Sequence, residues 1–385
     1  MQKHHELEIY GMSYGGAGIA RLDGKICFVE GGLPGEKVRF VVDSDKKRFI
    51  VGRAVEILSA AACREKPPCP YYGNCGGCQY QHVKYEAELS YKAEQVQEIL
   101  SRMGGFKEYI FEGITPSPVH YGYRSSVTLH RSFQGYGYFT RDNRTVIAVD
   151  KCLLAAEGIN GALGRINASE TKKDITVKCD KAGGVWISGH PGHRFFKDSF
   201  MRTELTFSPL AFSQPNRKVA SLMVKKLREW IMQEQRETLF DFYSGVGFFG
   251  ILMRDLFKSV VGVEDSRVAV SCAGTTKKDL SIGNIRFYCA AVEEKALACY
   301  EKLKGKVNTL ILDPPRTGID KDLILRLAEL KDAQSLYYIS CDPAILARDA
   351  AMLTQSQLWK LERVACFDMF PRTKHIESIA VFKKR

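Results

Sequence analysis

Apolar and polar positions alternate along residues 1–59, with glycines at the turns, and five runs there read as strands: His5–Ile9, Gly18–Leu22, Lys25–Val29, Lys37–Val42 and Phe49–Ile57. Asp23-Gly24 between two of them is a hairpin signal, and Pro34-Gly35 marks another turn. Short strands at this density predict a small closed barrel of the oligonucleotide-binding type. Over residues 83–103 the period becomes helical, with Leu89, Ala93, Val96, Ile99, Leu100 and Met103 on one face and Gly104-Gly105 as the stop. Residues 119–207 return to strand-like patterns at Ser126–His130, Tyr136–Thr140, Val146–Val149, Ile175–Cys179 and Val185–Ser188. From residue 217 onwards helix and strand alternate. Arg217–Gln233 reads as a long amphipathic helix, and Thr238–Asp241, Ser259–Glu264, Thr309–Leu312, Ser335–Ser340 and Ser378–Phe382 read as strands of a doubly wound α/β domain. The expected organisation is a β-barrel over 1–59, a β-rich central domain over 60–209 and an α/β domain over 210–385, with the helix at 83–103 able to pack on the last.

The composition, 45% hydrophobic and 26% charged over 385 residues, excludes a mainly disordered chain. No apolar run approaches the length that spans a bilayer. The start, MQKHHELEIYG, has no apolar signal core, so the expected location is cytoplasmic. The excess of 56 basic over 44 acidic residues, a net charge of +12, favours a polyanionic partner, of which nucleic acid is the commonest. No membrane and no obligate protein partner are expected. Lys46, Lys47 and Arg48 form a basic loop beside Phe49 that is suited to phosphate.

Twelve cysteines are many for a chain expected in a reducing compartment. Three of them form Cys69-x5-Cys75-x2-Cys78, with glycines between them that let the backbone curl and the thiolates converge. A fourth ligand is needed; Cys63 is nearest in sequence and Cys152 follows. A tetrahedral zinc site and an iron–sulfur cluster both fit the donor set. The single tight pair favours the cluster, since local zinc sites more often use two such pairs.

Four further constellations carry chemistry. In Phe240-Asp241-Phe242-Tyr243-Ser244-Gly245-Val246-Gly247-Phe248-Phe249-Gly250 a strand ends at an acidic residue and a glycine-rich turn opens a helix. About twenty residues on, Val260–Glu264 ends in a carboxylate placed to bond ribose hydroxyls. The pair points to a nucleoside-bearing cofactor. No Gly-Lys-Ser/Thr follows, which disfavours a P-loop, and the single G-x-G suits S-adenosylmethionine better than NAD. Leu312-Asp313-Pro314-Pro315-Arg316 makes a rigid turn at the sheet edge; Arg316 stands where amine methyltransferases carry an aromatic residue. In Ser340-Cys341-Asp342-Pro343 a thiol sits between strand and helix, where a helix start would lower its pKa. His375-Ile376-Glu377 offers a general base just before the last strand.

Together these motifs resemble the S-adenosylmethionine-dependent RNA (uracil-5-)methyltransferases with a TRAM domain and an iron–sulfur cluster, of the 23S ribosomal RNA type, over nearly the whole chain. Gly15-Gly16-Ala17-Gly18 and Leu33-Pro34-Gly35-Glu36 resemble the TRAM barrel, and Phe212-Ser213-Gln214 resembles the family's F-x-Q element. The resemblance implies an OB-like TRAM barrel, a central domain holding a 4Fe-4S cluster on Cys69, Cys75, Cys78 and Cys152, and a Rossmann-like class I methyltransferase domain. It implies cofactor contacts from Gln214, Tyr243, Glu264 and Asp313, with Cys341 as nucleophile and Glu377 as proton acceptor. Departures are Ser244 where the family usually has Cys, Phe248 where it has Asn, and Thr275-Thr276-Lys277-Lys278-Asp279 in place of an Asn-rich segment; they put cofactor affinity in question.

The implied chemistry explains the residue types. Carbon 5 of uracil is a poor nucleophile until a thiolate adds at carbon 6; a base must then remove the carbon 5 proton before the thiolate leaves. The target base must leave its stack. Tyr123-Arg124, Tyr136, Tyr138 and Phe139 are candidate RNA contacts. TRAM plus cluster suggests large-subunit ribosomal RNA, with transfer RNA as the alternative. Two rival classes are a non-catalytic iron–sulfur RNA-binding protein and a radical S-adenosylmethionine enzyme; the x5 spacing and the separate cofactor loop disfavour the second.

Overall fold

A computed structural model describes residues 4–169, 171–190, 195–303 and 307–385. Residues 1–3 of the expected barrel segment lie outside the described residues. The chain forms two compact units, one of Met1–Gln97, His130–Cys152 and Phe370–His375, the other of Glu98–Leu129, Leu153–Met369 and Ile376–Arg385. The region 60–209 is thus divided between both.

The first unit opens with six strands: β1 (His4–Glu8), β2 (Gly11–Met12), β3 (Gly18–Leu22), β4 (Lys25–Glu30), β5 (Lys37–Asp45) and β6 (Phe49–Ser59). The sheet order is β1-β5-β6-β4-β3-β2. β1 pairs with β5 at one edge, and β2, just beyond it in the chain, pairs with β3 at the other. One bent N-terminal strand therefore carries both edges and closes the barrel. Leu7, Ile9, Ala20, Cys27, Val29, Val38, Phe40 and Ile50 fill its interior. Every expected strand is present, the His5–Ile9 run as β1, and the short β2 that follows it was not among the expected strands.

Helix α1 (Tyr85–Gly104) follows and is shared by the two units. Strand β7 (Ile110–Thr115) belongs to the second unit, and β8 (Ser126–Ser132) is again shared. β9 (Gly135–Phe139) and β10 (Val146–Ala148) form a hairpin in the first unit. In the second unit come α2 (Glu157–Ser169), the β11 (Asp174–Cys179) and β12 (Val185–Ile187) hairpin, and the β13 (Phe196–Phe200) and β14 (Thr203–Phe207) hairpin. The pattern of apolar positions gave no signal for α2 or for the last hairpin. Its turn places Met201 and Arg202 at φ 48° and 68°, a conformation that Asn and Gly usually announce.

The remaining elements are α3 (Arg217–Ile231), β15 (Thr238–Phe242), α4 (Phe248–Met253), β16 (Ser259–Glu264), α5 (Arg267–Asp279), β17 (Ile285–Cys289), α6 (Val292–Glu301), β18 (Val307–Leu312), α7 (Lys321–Ala328), β19 (Ser335–Ser340), α8 (Pro343–Thr354), β20 (Trp359–Phe367) and β21 (Glu377–Lys384). They build an eight-stranded sheet in the order β17-β16-β15-β18-β19-β21-β20-β7. The five strands β15 to β19 are parallel, and β21 runs antiparallel to β19. β15 and β19 are buried throughout, as strands covered on both faces must be. The strand order reverses between β15 and β18, and in such sheets the crevice beyond the carboxyl ends of these strands is where ligands bind. The outermost strand, β7, comes from far upstream; Glu112 anchors it to Lys226 at 2.7 Å and to Arg363 at 2.9 Å. Among the described residues no helix is long and apolar enough to cross a membrane.

Candidate active site

The switch point gathers the sequence motifs. β15 ends at Phe242, opposite Val263 of β16 and Leu312 of β18, so Tyr243, Glu264 and Asp313 emerge together at the carboxyl edge. Tyr243 takes φ 59° to begin the glycine turn, and its hydroxyl donates to Glu293 at 3.0 Å. Glu264 accepts from the backbone N–H of Gly245 at 2.9 Å and of Ser266 at 2.9 Å, which ties the acidic strand end to the glycine loop. Gly247, at φ 78°, has no room for a side chain, because a Cβ there would stand 2.6 Å from Phe287.

Two buried polar atoms at this loop lack a hydrogen-bond partner among the described residues: Oδ1 of Asp241 and Oγ of Ser244. The other oxygen of Asp241 accepts from the Gly250 N–H at 2.9 Å. Burial pushes the Asp241 carboxyl well above the usual range, and the charges of Asp313 and Glu264 add to this. Native interiors rarely leave such groups unpaired. Orphaned acceptors beside an open Gly245, with a carboxylate on the next strand, fit a ligand rich in hydroxyl and amino donors. Asp241 appeared in the strand-end motif but was not among the expected cofactor contacts. Its burial is what makes it stand out.

Cys341 and Glu377 are brought together by the antiparallel pairing of β19 with β21. The ladder ends at Ser340 opposite Ser378, so the next residues outward, Cys341 and Glu377, face each other. Asp342 caps α8, accepting from the N–H of Ala344 at 2.9 Å and of Ile345 at 3.2 Å, which fixes the turn on which Cys341 sits. Segment 370–375, which runs into Glu377, is gripped within the first unit. The N–H groups of Gln79 and Tyr80 donate to the Arg372 carbonyl at 3.0 and 3.1 Å, and the Arg372 N–H donates to Glu88 at 2.8 Å.

The electrostatics correct one expectation. The Cys341 thiol is not lowered by the helix start but pushed up to about 11, first by burial and then by the negative charge of Glu377; Arg316 acts in the opposite sense, against Asp313 and Asp342. Burial and Asp313 raise the Glu377 carboxyl well above its usual range, again opposed by Arg316. Burial and Glu264 raise Asp313 to about 7. Perturbed groups clustered at one sheet edge mark a functional site.

Gln214 is buried in the loop before α3; its carbonyl lies 3.5 Å from the Ser125 hydroxyl, and Asn216 caps the helix by accepting from the Val219 N–H at 3.3 Å. Two of the departures, Phe248 and Thr276, have a packing role. Phe248 stacks edge-on against Phe200 of β13 at 5.0 Å, and the Thr276 hydroxyl accepts from the Thr206 N–H of β14 at 2.9 Å. Both residues serve the β13–β14 hairpin.

The cysteine loop is held in the first unit. The Gln81 side chain accepts from the Cys69 N–H at 3.3 Å and bonds the Cys78 thiol. The Gly76 N–H donates to the Phe139 carbonyl at 2.9 Å, and Tyr71 bonds both the side chain and the N–H of Asp150, two residues before Cys152. Burial pushes Cys78 up to about 12, and the charges of Cys152, Cys75 and Cys69 each add to that rise. Cys69 and Cys152 likewise raise Cys75, so both act on the Cys75–Cys78 pair. Cys63 instead pairs with the Tyr91 hydroxyl at 3.4 Å. Among the described residues, no group of three or more His, Cys, Asp or Glu side chains is drawn close enough to hold a metal ion.

The aromatic candidates for RNA contact separate. Tyr123 and Tyr136 are buried and belong to the core, whereas Phe139 is exposed and stacks on His130 at 4.2 Å.

Residues 202–385 match the tRNA (Uracil-5-)-methyltransferase family, and residues 4–55 match the TRAM domain. An RNA methyltransferase of Aquifex aeolicus is 30% identical, covering 98% of each chain. The 23S rRNA (uracil(1939)-C(5))-methyltransferase of Shewanella piezotolerans is 28% identical, covering 98% of this chain and 95% of the relative. The crystal structure of the Pyrococcus abyssi tRNA (uracil-54, C5)-methyltransferase with S-adenosyl-L-homocysteine has the same fold, with a TM-score of 0.73 at 22% identity over 98% of this chain and 100% of that one.

Proposed function

The chain belongs to the S-adenosylmethionine-dependent RNA (uracil-5-)methyltransferase family, and we propose that it methylates carbon 5 of a uridine in 23S ribosomal RNA through a covalent bond between Cys341 and the base. The observation that carries this reading is the Cys341–Glu377 pair at the sheet's switch-point edge, one step beyond the paired Ser340 and Ser378.

Cys341 acts as nucleophile. Its thiolate bonds carbon 6 of the uracil, and the electron pair of the 5,6 double bond moves to make carbon 5 nucleophilic. When bound, S-adenosylmethionine supplies the methyl group that carbon 5 receives. Glu377 then takes the proton from carbon 5, the 5,6 double bond re-forms, and the thiolate leaves. Glu264 and Asp313 at the strand ends, with Gln214 and Tyr243, would hold the cofactor, and Asp241 and Ser244 present unpaired acceptors to it. Burial and mutual charge hold Asp313, Glu377 and Cys341 towards their protonated forms. A positive charge placed among them favours their ionised forms, so ionisation is coupled to assembly of the complex.

Cys69, Cys75, Cys78 and Cys152 would hold a 4Fe-4S cluster in a structural role. The charge effects of Cys69 and Cys152 on Cys75 and Cys78, with the ties through Gln81 and Tyr71, support this, and no step of the methyl transfer uses the cluster. The proposed location is cytoplasmic.

The test is incubation of anaerobically purified protein with labelled S-adenosylmethionine and unmodified ribosomal or transfer RNA, read by nucleoside mass spectrometry. 5-Methyluridine in the ribosomal pool supports the proposal, and its appearance only in transfer RNA replaces the substrate. Its absence from both, with the cluster intact, favours a non-catalytic RNA-binding protein.

A further inference from the structure

The sequence Leu346-Ala347-Arg348-Asp349 on α8 takes no part in the chemistry described above, yet Asp349 is almost wholly buried. Its Oδ2 accepts from the Tyr338 hydroxyl at 2.5 Å and from the Ile319 N–H at 2.9 Å. Its Oδ1 accepts from Arg348 Nε at 2.7 Å, and the Arg348 guanidinium reaches on to donate to the Thr317 carbonyl at 3.0 Å. Two adjacent residues of one helix therefore grip the backbone on both sides of Gly318. That glycine stands at φ 81°, where a Cβ would lie 2.4 Å from Arg348 and 2.6 Å from Asp349. Its N–H donates to the Pro315 carbonyl at 2.8 Å, closing a tight turn over Pro315, Arg316, Thr317 and Gly318.

Arg316 stands exposed on that turn. β18 pairs in parallel with β19, Leu312 opposite Tyr338, so the turn that follows β18 lies beside the end of β19 that carries Cys341, and the Arg316 charge acts on both Cys341 and Glu377 against the neighbouring carboxylates. A long exposed side chain holds a fixed charge near a thiol only if its backbone is fixed. We propose that Asp349 is a positioning residue for methyl transfer: with Arg348 it locks the Pro315–Ile319 turn so that the Arg316 guanidinium is kept beside Cys341 and Glu377. The proposal rests on the reading of Cys341 as the attacking thiol. A carboxylate is suited to this place because it accepts three donors at once from three elements, β19, the turn and α8 itself.

The experiment measures alkylation of Cys341 by iodoacetamide against pH, quantified on the Cys341 peptide by mass spectrometry, beside the rate of RNA methylation. Asp349→Asn keeps the size of the side chain and removes its charge. If Asp349 acts through Arg316, alkylation at neutral pH slows by about three- to tenfold and the profile moves to higher pH. The kcat falls by about ten- to a hundredfold, with KM for the cofactor little changed. In an Arg316→Met background the same substitution adds no further shift. A folded Asp349→Asn protein with the wild-type profile overturns the proposal, as does a shift that adds in full to that of Arg316→Met. Should Asp349→Asn not fold, Arg348→Met, whose side chain is half exposed, loosens the same turn at Thr317 and must move the profile in the same direction; no movement overturns the proposal. Alkylation needs no RNA, so a shifted profile in a protein that methylates nothing would retain the clamp and discard the assigned reaction.

Discussion

Cys341 and Glu377 stand opposite each other, one residue beyond the Ser340–Ser378 pair that ends the β19–β21 ladder. Antiparallel pairing places the proposed nucleophile and the proposed base, from distant stretches of chain, at one edge without any loop having to carry both. Directly opposed residues in such a ladder lie within about 5.5 Å of each other. The same closeness explains why the charge of Glu377 raises the proton affinity of the Cys341 thiol.

The first prediction concerns that pair. Cys341→Ala should lower 5-methyluridine formation by about 10⁴-fold or more. Glu377→Gln should leave the first bond intact and block the last step, so a covalent protein–RNA species should accumulate. Denaturing gels with labelled RNA check both; an adduct with Cys341→Ala, or none with Glu377→Gln, would contradict the assigned roles.

A second prediction follows from Asp313. Its carboxyl sits at about 7 in the folded protein against an ordinary 3.8. A raised value means that the folded state binds the proton more tightly. Its contribution to stability is therefore complete below about 3.8 and is lost as pH rises through about 7. Asp313→Asn should raise the melting temperature of the ligand-free protein at pH above this window and change it little at the acid end. The same variant should bind S-adenosylmethionine more weakly. Thermal melts across pH, with calorimetric titration of the cofactor, test both signs.

The cysteine set gives the third. Protein purified without oxygen should carry about four iron atoms per chain and a broad visible absorption band. Cys78→Ala and Cys152→Ala should each abolish both, whereas Cys63→Ala should keep them, since Cys63 is engaged with Tyr91. Iron retained at full level in Cys152→Ala would assign the fourth ligand elsewhere.

The fourth concerns Phe248. Phe248→Asn restores the family's usual residue but removes the ring that stacks on Phe200 and leaves an amide in a buried place. It should destabilise the protein by about 3–5 kcal/mol. Urea denaturation measures this. A change below about 1 kcal/mol would show that the β13–β14 hairpin does not depend on the ring.

Much of this molecule is legible from its residues alone. Period-two alternation marks the barrel strands, because a sheet with one wet face must alternate. Continuous apolar runs mark β16 and β19, because strands covered on both faces have no polar side. Tyr243, Glu264, Asp313 and Cys341 announce themselves because ligands of doubly wound sheets bind where strands end, and each follows or ends a predicted strand. β7 and the β13–β14 hairpin are not legible. The first is a short edge strand whose partner is distant in sequence, and the second turns through Met201 and Arg202 without glycine.

The sequence by itself determined the order of the modules, the glycine turn, the thiol, the carboxylates and the family, since these depend on residue type and local spacing. Tertiary structure alone decided which of them meet and what their proton affinities are. The rise of the Cys341 thiol comes from burial and from Glu377 across a strand pair, and the grip of Asp349 on the Arg316 turn spans a helix, a strand and a loop. Long-range pairing and desolvation are properties of the folded chain, and no local pattern of residues encodes them.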